Sequence, residues 1–293
     1  MKNSHLPSFS IIIPTFNSEK VLPLCIESIL KQDYPQNKYE IILIDNYSRD
    51  KTADLAKKYK LKIFYVNGKP SQACRQRNLG AKKAENDYLF FLDHDMELSV
   101  NLLKNLASKI ITSKETDAFF IPEKIVANNK ILQEIRNYER SFYDATPIDA
   151  VRVIKKNVFF KTEKYDPLLS SGPADWDMDI QLQKLGVKFG KIDLPVRHHE
   201  ENLTFSQYLF KKSRYVRGIK IYKNKWSGDK EIYENIIKKQ LGVKYRFLTV
   251  FLEKNKFKKI LNHPLLFFSV FILKLIFGFI YLIKGIEYEL NEK

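Results

Sequence analysis

The sequence is poor in cysteine and in negative charge. Cys25 and Cys74 are its two cysteines among 293 residues, and they stand in no metal-ligand or redox spacing. That excludes a disulfide framework and a cysteine zinc site, and it suits a reducing cytosol. No secretory signal is visible. The early apolar run Ile11-Ile12-Ile13 is short and is stopped by Pro14, so the folded part is expected to stay in the cytoplasm. Internal repeats, low-complexity tracts and recognised nucleic-acid motifs are also missing. Acidic residues number 34 against 50 Lys and Arg, a formal net charge of +16. Such an imbalance calls for an anionic partner, either phosphate, nucleic acid or acidic lipid, and the lack of a motif argues against nucleic acid.

A hydrophobic content of 44% and an aromatic content of 13% mark a folded chain, long enough for one large domain or a domain with an extension. The positive charge is unevenly placed. Between Lys211 and Ile260 stand 16 Lys and Arg against 4 Asp and Glu, so this stretch supplies +12 of the total and the first 210 residues are nearly balanced.

The first hundred residues alternate short β-branched runs with helical patterns. Strands are expected at Phe9–Ile13, Tyr39–Ile44, Leu61–Val66 and Tyr88–Leu92. Helices are expected at Val21–Gln32, Thr52–Tyr59 and Gln72–Ala84. This alternation predicts a parallel sheet covered on both faces, with ligands at the carboxyl ends of its strands. Three tips then matter: Pro14-Thr15-Phe16-Asn17, Asp45-Asn46-Tyr47-Ser48 and Asp93-His94-Asp95. Beyond Val100 the pattern is irregular. Strands are expected at Phe119–Ile121, Val151–Ile154 and Lys191–Val196, and helices around Ile131–Phe142 and Leu203–Tyr215.

Residues 265–283 form a largely apolar run of about 28 Å as a helix, just enough for a hydrocarbon core. Lys274 near its middle would cost about 2.5–3.5 kcal/mol in a span. Lys274, Gly278, Tyr281, Gly285 and Tyr288 form one polar or small stripe along it. Three readings stand: a helix packed on the folded part, one lying in a membrane interface, or a single span. The basic stretch before it suits an anionic cytoplasmic leaflet.

Two carboxylates one residue apart at the end of a buried strand, Asp93 and Asp95, can share a hard divalent cation that keeps open positions for phosphate. The triplet has company. Ser10-Ile-Ile-Ile-Pro-Thr-Phe-Asn17, Glu40-Ile-Ile-Leu-Ile-Asp-Asn-Tyr-Ser-Arg-Asp-Lys-Thr52, Arg75-Gln-Arg-Asn-Leu-Gly80 and Leu92-Asp-His-Asp95 follow in order. Together they closely resemble family 2 glycosyltransferases, strongly over residues 8–100 and loosely to about 225.

The resemblance implies a GT-A-type α/β fold, a Rossmann-like and mostly parallel sheet with helices on both faces. A nucleotide half would occupy about 1–100 and an acceptor half about 101–225, followed by a basic, apolar, membrane-associated helical extension over 226–293. It implies that Pro14, Thr15, Phe16, Asn17 and Asp45 hold a nucleotide, with Phe16 in place of the commoner tyrosine. Arg77 would lie beside the nucleotide, with Asn78 and Gly80 completing that motif or serving helix packing. Asp93 and Asp95 would bind Mn2+ or Mg2+ and, through it, the diphosphate of a nucleotide-diphosphate sugar.

The same resemblance bears on Gly172-Pro-Ala-Asp-Trp-Asp-Met-Asp179. Alignment on Gly186 puts Asp175 at the catalytic aspartate and Asp177 at the next acid, whereas another register makes Asp177 the base. Ala174 stands where a glutamate is usual, and Gln181 where an arginine often follows. Beyond it, His199 or His198 can serve as a further metal ligand. Arg214 and Arg217 in Lys211-Lys-Ser-Arg-Tyr-Val-Arg217 can meet diphosphate or an anionic acceptor. The chemistry implied is displacement at an anomeric carbon, one aspartate taking the proton of an acceptor hydroxyl and one base giving inversion. The acceptor expected is a glycan or lipid-linked saccharide at the cytoplasmic face of a membrane. A polyprenyl-phosphate sugar synthase and a catalytically silent membrane scaffold are the alternatives. A nucleotidyltransferase would want a Gly-rich phosphate loop at the first strand, which is missing.

Overall fold

The computed structural model describes residues 6–66, 73–169, 172–200, 204 and 215–291. Contacts divide the chain into two interleaved units, whereas the sequence draws one boundary near residue 225. The first unit comprises 1–124, 150–170 and 177–199, the second 125–149, 171–176 and 200–293.

The first unit is built on a seven-stranded sheet. Its strands are β1 (Phe9–Thr15), β2 (Tyr39–Asp45), β3 (Lys62–Tyr65), β4 (Tyr88–Phe91), β6 (Thr116–Phe120), β8 (Val151–Lys155) and β9 (Lys188–Lys191), in the order β3-β2-β1-β4-β8-β6-β9. β1, β2, β3 and β4 run parallel, as the continuous apolar runs predict. β8 runs antiparallel to β4 and to β6, so the sheet is mixed. Short strands β5 (Met96–Leu98), β7 (Glu123–Val126) and β10 (Val196–His199) make a second sheet in the order β5-β10-β7.

Helices α1 (Leu22–Leu30), α2 (Thr52–Lys58) and α3 (Ala73–Lys83) follow β1, β2 and β3, as the alternation requires. α4 (Leu102–Thr112) buries Leu102, Leu103, Leu106 and Ile110 in the core beneath the sheet. The strand expected at 191–196 is absent. The chain turns there, because Pro195 lacks the N–H a ladder needs, and the strands lie on either side as β9 and β10.

Two residues of the third motif have structural work. A Cβ on Gly80 would lie 2.3 Å from Ile12 Cγ2, inside the fully buried β1, so only glycine lets α3 pack this closely. Asn78 donates to the Tyr165 carbonyl at 2.8 Å and accepts from the Tyr165 amide at 3.0 Å.

The second unit contains α5 (Lys130–Arg140), a helix at Tyr215–Trp226, and a C-terminal helix at Pro264–Asn291. The helix expected at 203–215 falls almost wholly outside the described residues. α5 and the C-terminal helix contribute Tyr138 and Val270 to a core with Phe142, Tyr245, Val250 and Phe251. Lys274 is buried on the same side of the C-terminal helix. Its ammonium meets Glu139 at 3.3 Å, the Tyr143 hydroxyl at 2.5 Å and the Arg246 carbonyl at 3.0 Å. Burial holds it below the usual lysine range, an effect Glu139 opposes and Arg246 reinforces. The polar stripe therefore begins on the protein side of the helix. Among the described residues no helix is long and apolar enough to cross a membrane.

Gly80→Ala should destabilise the protein by about 2 kcal/mol, because Ile12 has no room to yield; a denaturant midpoint unchanged from wild type would refute this packing role. Lys274→Met should cost about 3 kcal/mol by taking the Lys274 ammonium from half-buried Glu139, and adding Glu139→Gln should recover part of that loss. Urea melts of the single and double variants measure both effects.

Candidate functional site

The register of β1 with β2 sets Thr15 beside Asp45, and that of β2 with β3 sets Asp45 beside Tyr65. β1 with β4 sets Ile12 beside Phe91, so the Asp93 loop leaves the sheet on the same edge. Between β1 and β4 the strand order reverses direction, which is where open α/β sheets leave a crevice for ligands. The three tips named from sequence thus meet at one edge of the first unit.

Asp45 is buried and fully engaged. Its carboxylate accepts from the Thr15 hydroxyl at 2.9 Å, the Ser48 hydroxyl at 2.6 Å and the Ser48 amide at 2.8 Å. Gln76 on α3 donates to the carbonyls of Thr15 at 2.9 Å and Ile44 at 2.6 Å, tying the ends of β1 and β2 together. Asn17 and Tyr47 adopt left-handed φ of 50° and 53°. The Asn17 amide donates to Ser48 Oγ at 2.8 Å, and Asn17 Oδ1 accepts from the Arg49 amide at 2.9 Å. Pro14 is buried, Phe16 half-buried and Asn17 exposed, so the ring of Phe16 can meet a ligand. Tyr47 of the second tip and Tyr65 at the end of β3 form an exposed aromatic pair beside Asp45 with centroids 5.6 Å apart.

The acidic tip lies within a chain of ionic partners. Arg77 Nη2 is 2.9 Å from Asp93 Oδ1, and Arg152 Nη1 is 3.9 Å from Asp93 Oδ2. Arg152 also pairs with Glu123. His198 spans Glu123 at 3.5 Å and Asp95 at 3.2 Å. The guanidinium of Arg77 also lies 5.2 Å from the Tyr165 ring centroid. Burial pushes the Asp93 carboxyl up, but Arg77 and Arg152 outweigh it and hold the group below the usual carboxylate range. Cys25 lies beside this tip, 3.8 Å from the Asp93 carbonyl; burial, then Asp95 and Asp93, push its thiol up and keep it neutral.

Of the two histidines, His198 meets Asp95. His199 turns to Glu97 at 3.1 Å, because neighbouring residues of β10 point to opposite faces. That corrects the expectation of His199 as the histidine at the acidic tip. His94 is directed back at the Pro14 carbonyl, 3.2 Å away. Arg152 and Glu123 escaped the sequence reading, since each is a lone charge on an irregular stretch. The alternation of Arg152 with Val151, Val153 and Ile154 was the available signal.

α6 (Gly172–Lys184) carries the second acidic cluster. Asp177 is fully buried and accepts from Gln181 Nε2 at 2.7 Å, and Asp179 is buried against the Val151 amide at 3.3 Å. Asp175, in the first turn, is the partly exposed member of the three. Gly186 ends this helical stretch with a left-handed φ of 70°. Arg217 lies on the helix Tyr215–Trp226, and Arg214 lies outside the described residues.

Among the described residues no three His, Cys, Asp or Glu side chains are gathered to hold a metal ion. Asp93 and Asp95 nevertheless keep 31% and 27% of their side-chain surface open. Two carboxylates suit a hard cation that arrives with phosphate oxygens as its other ligands, for which no protein cage is needed.

A model of the family described as glycosyl transferase family 2 matches residues 10–165, more than half of the chain. Poly(ribitol-phosphate) beta-N-acetylglucosaminyltransferase TarS of Staphylococcus aureus is 30% identical over 131 residues, 43% of this chain and 23% of that protein. A dolichyl N-acetyl-alpha-D-glucosaminyl phosphate 3-beta-D-2,3-diacetamido-2,3-dideoxy-beta-D-glucuronosyltransferase of Methanococcus voltae is 38% identical over 102 residues, 33% of this chain and 32% of its own length. The chain thus spans about a third or less of these two relatives. A crystal structure of S. aureus TarS 1-349 in complex with UDP-GlcNAc superposes with a TM-score of 0.53 at 20% identity, covering 72% of this chain and 66% of that one. That likeness concerns the fold.

The ion pairs of Asp93 contribute stability that is complete above about pH 4, the ordinary value of an aspartate, and is lost as pH falls through the depressed folded value. Arg77→Met should raise the Asp93 titration and move acid unfolding to higher pH. Carboxyl carbon NMR and an acid titration by circular dichroism read the two effects; an unmoved Asp93 resonance would assign the depression to Arg152 and His198.

Proposed function

From the premise that this chain belongs to glycosyl transferase family 2, a family of nucleotide-sugar-dependent glycosyltransferases, we propose that it is a metal-dependent inverting transferase. It moves a sugar from a nucleotide-diphosphate donor to a hydroxyl of a glycan or lipid-linked acceptor. The observation that carries the reading is the joining of Asp45, Arg77, Asp93 and Asp95 at the carboxyl edge of β1, β2 and β4. Such an edge sets aromatic rings and the Asp45 tip on one side for a nucleoside and both signs of charge on the other for a cation–diphosphate pair.

In this reading Phe16 stacks on the base and the Asp45 tip orients the nucleoside. Asp93 and Asp95 hold Mg2+ or Mn2+, which neutralises charge on the departing diphosphate. Arg77 keeps Asp93 ionised and can itself meet a phosphate oxygen. Asp175 is the proposed base, favoured over Asp177 because a fully buried carboxylate already bonded to Gln181 is poorly placed to take a proton from a substrate. The S. aureus relative crystallised with UDP-GlcNAc makes that donor the first to try.

Hydrolysis and binding of a donor panel led by UDP-GlcNAc, with and without Mn2+ or Mg2+, test the proposal. One donor should be hydrolysed slowly in a metal-dependent way, and Asp93→Ala should abolish this. Asp175→Asn should still bind that donor while transfer falls by roughly a hundredfold or more. A chain that binds no donor in any metal would overturn the transferase reading, and an unimpaired Asp175→Asn would overturn the base assignment.

A further inference from the structure

The C-terminal helix Pro264–Asn291 has two unlike faces. Val270, Leu273 and Lys274 are buried on one. On the other, Leu265, Phe268, Ile272, Leu275, Phe279 and Ile283 are between 42% and 82% exposed. They follow at steps of three, four, three, four and four, which places them on one side of the helix over roughly 27 Å. From Pro264 to Ile283 the sequence has no acidic residue, and its one basic residue, Lys274, is turned inward against Glu139 and Tyr143. The short helix before it, Phe257–Asn262, exposes Phe257 and Leu261. Lys254 and Lys258 are exposed beside them, at the end of the stretch that carries +12.

A row of exposed large apolar side chains on this scale marks a surface built to be covered. Its charge says by what. A second copy seated on this face would bring two strongly basic stretches together in a chain whose net charge is already +16. An anionic bilayer offers an apolar layer to the row and negative headgroups to the lysines at once. A transverse span would expose Lys274 to hydrocarbon and break its contacts, whereas a helix lying flat leaves them intact.

We propose that the C-terminal helix lies in the plane of an anionic membrane, its row from Leu265 to Ile283 immersed at the acyl boundary and Lys254 and Lys258 on the headgroups. This goes beyond the transfer reading and does not need it, since lipid binding is measured without any donor.

Flotation of the full chain with vesicles tests it, using phosphatidylcholine alone and equal parts phosphatidylcholine and phosphatidylglycerol. The chain should float with the anionic vesicles, and binding should weaken as salt is raised. Phe268→Glu with Leu275→Glu should lower partitioning by roughly a hundredfold. Lys254→Glu with Lys258→Glu should lower it by roughly tenfold on anionic vesicles and hardly at all on neutral ones. Unchanged circular dichroism melts exclude misfolding as the cause. The proposal is overturned if the wild type does not float with anionic vesicles, or if Phe268→Glu with Leu275→Glu floats as well as wild type. Light scattering that finds a lipid-free dimer broken by those two substitutions would also overturn it, and would make a second copy the occupant.

Discussion

The in-register pairing of β1 with β2 on one side and β4 on the other is the constraint from which the geometry of the carboxyl edge follows. Ile12 stands beside Ile42 and Phe91, and Thr15 beside Asp45, so three loops leave the sheet together. Parallel strands of this kind are held by buried apolar side chains on both faces, and β1 is buried along its whole length. The close approach of α3 at Gly80 belongs to the same constraint. It brings Gln76 and Arg77 to the strand ends, where Gln76 bonds β1 and β2 and Arg77 bonds Asp93. Packing beneath the sheet and polar geometry at its edge are thus one arrangement.

At that edge the charges form a sequence from Arg77 through Asp93, Arg152, Glu123 and His198 to Asp95. Partly desolvated charges persist when each has a partner of opposite sign, and here each partner is shared. The consequence for the proposed chemistry is that the edge is prepared for a ligand carrying both signs. A lone anion would compete with Asp93 for Arg77, and a lone cation would compete with Arg77 for Asp93. A cation bound to a diphosphate satisfies both sets together.

The second unit shows a different solution to a buried charge. Lys274 is held below its usual range by burial and still keeps Glu139, the Tyr143 hydroxyl and a backbone carbonyl as partners. With the lysine turned inward, the outer face of the helix is free to be apolar without interruption. Burial of one polar side chain is what leaves the other side an unbroken apolar surface.

The parallel half of the sheet, its three helices and the tips at Pro14–Asn17, Asp45 and Asp93–Asp95 were legible in the sequence. Their signals are local: unbroken apolar runs of strand length, helical spacing between them, and short motifs just past the strand ends. The roles of Arg152, Glu123 and His198 were not legible. Their partners lie 29 to 103 residues away in the chain, and β8 had to insert antiparallel beside β4 before Arg152 could reach Asp93. Asn78 and Gly80 read equally well as ligand contacts or packing until Tyr165 and Ile12 were seen against them. The sequence by itself determined which residue types stand at which strand ends and that residues 265–283 would be a helix, because hydrophobic periodicity is a property of neighbours. Which histidine meets the Asp95 carboxylate, that Asp177 is buried while Asp175 is partly exposed, and the inward face of Lys274 were decided by tertiary structure, because which way a side chain points depends on what packs against its element.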